Sequence, residues 1–212
     1  MSPTVIDVTT PNGVGRLHAD VPDAPRAIAL LGGGASGVIT SGDLVALASG
    51  LPGRGVGVIR FEQPWRVAGK KIGPRAPLSD PNVEAAVDAV AARWPGAPIL
   101  GGGRSAGARI ACRTHRAGQP GVLALSFPLH PPGKPESSRI AELASVAAPV
   151  LVVIGARDPF GSPAELDAAL AAVPQAGPRQ VVVVPGATHS FPARTLPVVV
   201  DAVAGFVDEV LG

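Results

Sequence analysis

The sequence predicts an α/β domain, a three-layer α/β/α sandwich around a mostly parallel, doubly wound sheet. Three observations predict it. Short runs rich in Val, Ile and Leu recur along the chain, as strands buried on both faces require. Segments with apolar residues at three- and four-residue intervals separate them, the spacing of amphipathic helices. The two kinds then alternate to the end of the chain. Composition agrees, because 212 residues of which 46% are hydrophobic and 16% charged can bury a sizeable core without disulfide or metal staples. No repeat of about 20 to 50 residues, linker or composition shift divides the chain, so one domain over residues 1–212 is expected.

Strands are expected at Val5–Thr9, Val14–Ala19, Arg26–Leu31, Gly55–Phe61, Pro98–Gly101, Val122–Ser126, Val150–Ile154 and Gln180–Val184. The first two read as an antiparallel hairpin turned by Pro11-Asn12-Gly13. Helices are expected at Ser41–Ser49, Val83–Trp94, Ala106–Ala117, Ser137–Val146, Pro163–Val173 and Leu196–Leu211. Two connections stand out, the long Glu62–Ser79 and the proline-rich Pro128–Pro135.

Several classes of function are excluded. No stretch reaches the roughly 18 to 20 consecutive apolar residues of a membrane span, and the N-terminus has neither the basic start nor the apolar block of an export signal, so a cytoplasmic protein is expected. A single cysteine, Cys112, and four scattered histidines leave no disulfide and no zinc spacing; Cys112 reads as a small core residue. The pI of 9.2 looks like a nucleic-acid signal, but the net charge is only +2, and with no Tyr little titrates between about pH 7 and 10. With 3% aromatic residues and no basic run longer than Lys70-Lys71, a nucleic-acid platform is not expected. No Gly-Lys-Ser or Gly-Lys-Thr of a phosphate loop occurs.

In a doubly wound sheet, ligands are handled at the carboxyl ends of the strands, and chemistry is sought there. Gly103-Arg104-Ser105-Ala106-Gly107 matches G-x-S-x-G between a strand and a helix, the context of a nucleophile elbow. Small residues two before and two after the serine clear the sharp turn that lifts its hydroxyl above the sheet. The alternative is a glycine-rich turn with Ser105 as helix N-cap. A serine nucleophile needs a histidine base and a carboxylate to orient it, in the order Ser, Asp or Glu, His. Asp158 follows the strand ending at Ile154, and His189 follows the strand ending at Val184. As alternatives, Asp158 caps the next helix and His189 is an ordinary loop residue. Oxyanion donors are expected in the Ala106 amide and, from the small-residue loop Gly32–Gly37, the Gly34 amide. The same loop offers a rival reading. Gly32-x-Gly34-x-x-Gly37, with Arg60-Phe-Glu62 roughly 25 residues on, is formally a dinucleotide fingerprint. Against it, the next helix begins only near Ser41, too late for its N-terminus to hold a pyrophosphate.

These features together resemble the α/β-hydrolases, and more narrowly their small capless branch related to dienelactone hydrolase, which includes the testis-expressed protein 30 family. The narrower resemblance rests on Arg60-Phe-Glu-Gln-Pro-Trp65, Gly101–Gly107, Phe127-Pro-Leu-His130-Pro-Pro-Gly-Lys-Pro135, Gly155-Ala-Arg-Asp-Pro-Phe-Gly161 and His189-Ser-Phe191, and spans roughly residues 26–211. It implies a minimal α/β-hydrolase fold without cap domain, and a serine hydrolase working through an acyl-enzyme with no metal or organic cofactor. Gly32 stands where relatives usually carry the histidine of a His-Gly-x-Gly oxyanion loop, and the nucleophile is Ser, not the Cys associated with dienelactone hydrolases.

With only Pro128–Pro135 available for a lid, the expected site is shallow and open, suited to a small or extended polar acyl substrate. Arg60, Arg66, Lys70, Lys71 and Arg75, with Arg104 beside the nucleophile, form a basic rim that suits an anionic acyl compound; solvated loop charges are the equal alternative. Arg60, Arg104, His130 and Phe160 are the candidate substrate contacts. A catalytically idle fold serving as a binding or scaffold subunit is the remaining alternative.

Overall fold

The computed structural model describes residues 3–212 and joins eight strands in one sheet. β1 (Thr4–Thr10) and β2 (Gly13–Asp20) form the expected hairpin, with Thr10 opposite Gly13 and Thr4 opposite Ala19. Six further strands follow: β3 (Ala27–Gly32), β4 (Val56–Glu62), β5 (Ile99–Arg104), β6 (Val122–Leu125), β7 (Val150–Gly155) and β8 (Arg179–Val184). The spatial order is β1-β2-β4-β3-β5-β6-β7-β8. β2 pairs antiparallel with β4, and every pair from β4 through β3 to β8 is parallel.

Successive strand residues serve opposite faces, and β7 shows it clearly. Leu151 and Val153 pack on one side with Leu44, Leu47, Val199, Val203 and Phe206. These come from α1 (Gly42–Gly50) and α7 (Leu196–Leu211), which cover that face. Val150, Val152 and Ile154 pack on the other side, with Ala108, Cys112, Leu143 and Leu166. That face carries α3 (Asp80–Arg93), α4 (Ala106–Arg113), α5 (Ile140–Ala144) and α6 (Pro163–Ala171). A third cluster under the hairpin joins Leu17, Ile28, Ile59 and Phe61 to Val87 and Val90 of α3.

Several helix ends depart from expectation, each for a local reason. α4 stops at Arg113 because the Thr114 hydroxyl bonds back to the Ile110 carbonyl and the Arg116 amide turns to the Gln119 side chain. α5 is shorter than 137–146 because the Arg139 amide is held by the Leu129 carbonyl until Ile140. α3 begins at Asp80, earlier than expected, with Pro81 in its first turn where no amide hydrogen is needed. A short helix, α2 (Pro64–Val67), interrupts the segment expected to be loop. Residues 126–139, between β6 and α5, form turns and carry no cap. No helix among the described residues is long and apolar enough to cross a membrane.

Candidate active site

Parallel strands deliver their carboxyl ends to one edge of the sheet, and Ser105, Asp158 and His189 arrive there from β5, β7 and β8. Ser105 is the single residue between β5 and α4. Its backbone lies at φ 53° and ψ −111°, a conformation that costs a non-glycine residue about 1–3 kcal/mol. Its amide is held by the Leu125 carbonyl at 2.9 Å. A Cβ at Gly107 would collide with the Gly32 carbonyl oxygen, so the helix can follow the elbow this closely only with glycine at that position. The serine side chain makes no capping bond to α4. Its Oγ lies 2.9 Å from His189 Nε2 instead.

Asp158 is buried, and its carboxylate meets His189 Nδ1 at 2.9 and 3.0 Å. One of its oxygens also accepts the Phe160 amide at 2.9 Å. Capping of α6 falls to Ser162, which forms a reciprocal capping box with Glu165, so Asp158 is left to the histidine. With the carboxylate at Nδ1 and the serine at Nε2, the ring is assigned its proton on Nδ1, leaving Nε2 to accept from the hydroxyl. The His189 loop reaches Asp158 across Gly155, where a Cβ would strike the Thr188 carbonyl. The Phe160 ring lies over the imidazole, centroids 4.1 Å apart.

Gly34 and Ala106 flank the serine. A Cβ at Gly34 would lie 3.8 Å from that of Ser105, and the Gly34 carbonyl accepts the Gly37 amide at 2.8 Å, closing the loop in a turn. Both residues border a cavity of about 220 Å³. The arrangement can move a proton from a hydroxyl to an imidazole beside backbone amides, which is the machinery of acyl transfer.

A family model for the alpha/beta hydrolase domain matches residues 25–197. The chain belongs to the alpha/beta hydrolase family. An alpha-beta serine hydrolase homologue from Coxiella burnetii shares 20% identity, covers 97% of this chain and 98% of its own, and superposes with a TM-score of 0.78. A lidless serine hydrolase from Xanthomonas campestris is also 20% identical, with 99% and 95% covered and a TM-score of 0.78. Dienelactone hydrolase from Anabaena variabilis is 18% identical, with 99% of both chains covered and a TM-score of 0.78. No protein of curated function matches the sequence.

Within this alpha/beta hydrolase, three of the four candidate substrate contacts, Arg60, Arg104 and His130, are engaged by the protein itself. Arg60 is buried on β4, where it pairs with Asp20 at 3.1 Å and donates to the Ile39 carbonyl, away from the cavity. Arg104 is turned inward. Its Nε lies 3.1 Å from buried Asp43, and its Nη2 donates to the His189 carbonyl at 2.6 Å and to the Ser190 hydroxyl at 2.7 Å. His130 is buried too; its ring bonds the Pro131 carbonyl and its amide donates to the Phe160 carbonyl at 3.0 Å, so it braces the Asp158 loop. Phe160 remains at the site, against His189.

The cavity that borders the serine's neighbours differs in character from the shallow, polar site expected. The cavity beside Gly34 and Ala106 is walled by Phe61, Trp65, Ile72, Val83 and Ile110. Lys70, Lys71 and Arg75 are exposed and outside that wall. Arg109 and Arg113, which do border the cavity, are paired with Glu142 and Asp80.

The glycine loop does not form a dinucleotide cradle. α1 starts five residues after Gly37, and the protein's own Asp43 in its first turn accepts the Leu44 amide and the Ser41 hydroxyl. Asp43 is the residue missed by sequence reasoning. An acidic residue in a first helical turn reads as a dipole partner, and only the fold brings it to Arg104. No group of three or more His, Cys, Asp or Glu that can hold a metal ion is found among the described residues.

Proposed function

We propose that the protein is a serine hydrolase that cleaves an ester, thioester or lactone-type acyl bond of a small molecule. The observation that carries this reading is the unbroken hydrogen-bonded line from Ser105 through His189 to Asp158, at 2.9 Å on each side of the imidazole. The finer placement in the capless branch related to dienelactone hydrolase and testis-expressed protein 30 rests on the motifs at residues 60–65, 101–107, 127–135, 155–161 and 189–191.

Ser105 Oγ attacks the carbonyl carbon as its proton passes to His189 Nε2, and the electron pair of the carbonyl moves onto oxygen, held by the Gly34 and Ala106 amides. Asp158 keeps the imidazole oriented and balances its positive charge. Collapse of the tetrahedral species expels the leaving group, which takes the proton from Nε2 and leaves an acyl ester on Ser105. Water then attacks that ester, giving its proton to Nε2; the second collapse frees the acid and returns the proton to Ser105.

The test is intact mass after a fluorophosphonate probe, on wild type and on Ser105→Ala, with the labelled peptide mapped. Stoichiometric labelling at Ser105, lost in the variant, is expected. A folded wild type that stays unlabelled overturns the proposal in favour of a binding or scaffold subunit.

A further inference from the structure

The carbon attacked by Ser105 carries four substituents in the tetrahedral species, and three have fixed directions. One is Oγ itself. The oxyanion must face the amides of Gly34 and Ala106, and the leaving-group oxygen must face His189 Nε2 to receive its proton. His189 and Asp158 come from β8 and β7, on one side of β5. The cavity lies on the other side, toward β3 and β4, and begins at Gly34, Ala35 and Ala106. That cavity is the space beside the serine's neighbours, away from His189, left for the remaining substituent, the acyl group.

We infer that this cavity is the acyl pocket and that it selects a neutral, apolar acyl group of medium length; the inference rests on the serine-hydrolase reading above. At about 220 Å³ it is smaller than the roughly 300 Å³ at which pockets begin to take drug-sized ligands, so it houses one acyl substituent and not a whole large substrate. Phe61, almost fully buried, and Val83 and Ile110 form apolar wall. Trp65 is the outer wall. Its indole is wedged between Gly37 of the oxyanion loop and Gly73 of the following segment, where a Cβ on either glycine would collide with the ring. Ile72, 83% exposed, sits at the rim with its side chain unburied by the protein, where an acyl chain would cover it. An acyl carboxylate has no free cation to meet here. Both arginines on the wall are committed, Arg109 to Glu142 at 2.6 Å and Arg113 to Asp80 at 2.7 Å and Glu142 at 3.0 Å.

Two measurements test this. The first is kcat/KM for p-nitrophenyl esters from acetate to decanoate, with the hemisuccinate ester as the anionic counterpart of butyrate. Each methylene that enters the pocket is expected to raise kcat/KM about fourfold until the pocket is full, the transfer of one CH₂ from water. Butyrate should exceed hemisuccinate. Ile110→Phe, which narrows the pocket from the half-buried face of α4, should cut kcat/KM for the longer esters at least tenfold more than for acetate. A flat length profile, a preference for hemisuccinate, or an equal loss on all esters in Ile110→Phe overturns the inference.

The second measurement does not need turnover. The chain has two tryptophans, Trp65 and Trp94, so in a Trp94→Phe background the indole fluorescence reports the pocket wall alone. Titration with octanamide should shift it saturably, and Ile110→Phe should weaken that binding. A response from protein whose Ser105 takes no fluorophosphonate keeps the pocket and removes the hydrolase reading. Labelled protein with no response removes the pocket and keeps the hydrolase.

Discussion

The Arg104 guanidinium donates to the main-chain carbonyl of His189 at 2.6 Å while its Nε faces Asp43 at 3.1 Å. The residue immediately before Ser105 therefore fastens the loop that carries His189, and Asp43 at the start of α1 holds the fastener. On the proposed mechanism Arg104 is a positioning residue acting through His189. Arg104→Gln is expected to lower kcat about 10- to 100-fold, the scale of a small misplacement of a reacting group, with KM little changed. Arg104→Lys should restore less than the wild-type rate, because an ammonium cannot span both partners as the planar fork does. A KM effect with unchanged kcat would show Arg104 touching substrate instead.

Gly155→Ala tests the approach of the two loops. The new Cβ meets the Thr188 carbonyl, a backbone atom that cannot swing aside. A loss of about 1–3 kcal/mol in urea denaturation is expected from overpacking, together with slower fluorophosphonate labelling at Ser105, since relief of the clash moves His189. Unchanged labelling in a destabilised protein would show the base to be held independently of that contact.

Acidification should loosen the link between α4 and α5. Burial would raise the Glu142 carboxyl, but the hydrogen bonds and charge of Arg109, with the charge of Arg113, outweigh it and hold the group below its ordinary value. A carboxyl depressed on folding contributes stability that is complete above the unfolded value of about 4.3 and is lost as pH falls through the lower folded value. Glu142→Gln should therefore cost about 1–2 kcal/mol at neutral pH, between the values of exposed and buried pairs. The gap from wild type should narrow below about pH 4. A gap independent of pH contradicts the assignment.

Cys112 should be inert in the folded protein. Burial, aided by the charge of Glu142, pushes its thiol up to about 12, and only a thiolate reacts. A disulfide reagent at pH 8 is expected to modify it at the rate of global unfolding, and in denaturant at once. Rapid modification of native protein would show an opening of the layer between α4 and the sheet.

The grouping of Ser105, Asp158 and His189 was legible because each stands just past a run of Val, Ile or Leu, and periodicity locates such runs well. A largely parallel sheet followed from the same alternation. The acyl pocket was not legible. Trp65, Ile72 and Val83 sit in or just after a segment whose sequence shows mainly Lys, Arg, Gly and Pro, and the charges drew attention away from the apolar residues between them. Arg60 and Arg104 illustrate the other limit. Sequence marks a guanidinium as a charge, but whether that charge faces substrate or a buried carboxylate depends on Asp20 and Asp43, which are distant in the chain and near only in the fold.

The hairpin aside, every strand that feeds this site is joined to its neighbours in parallel, so Gly34, Ser105, Asp158 and His189 lie far apart in sequence and meet through long crossovers. Contacts of such high sequence separation form late and together. A half-folded chain is therefore expected to present no assembled line from Ser105 to Asp158, and on the proposed mechanism titrating reactive Ser105 should count complete native molecules; the same number read during refolding would clock the final, cooperative step of assembly.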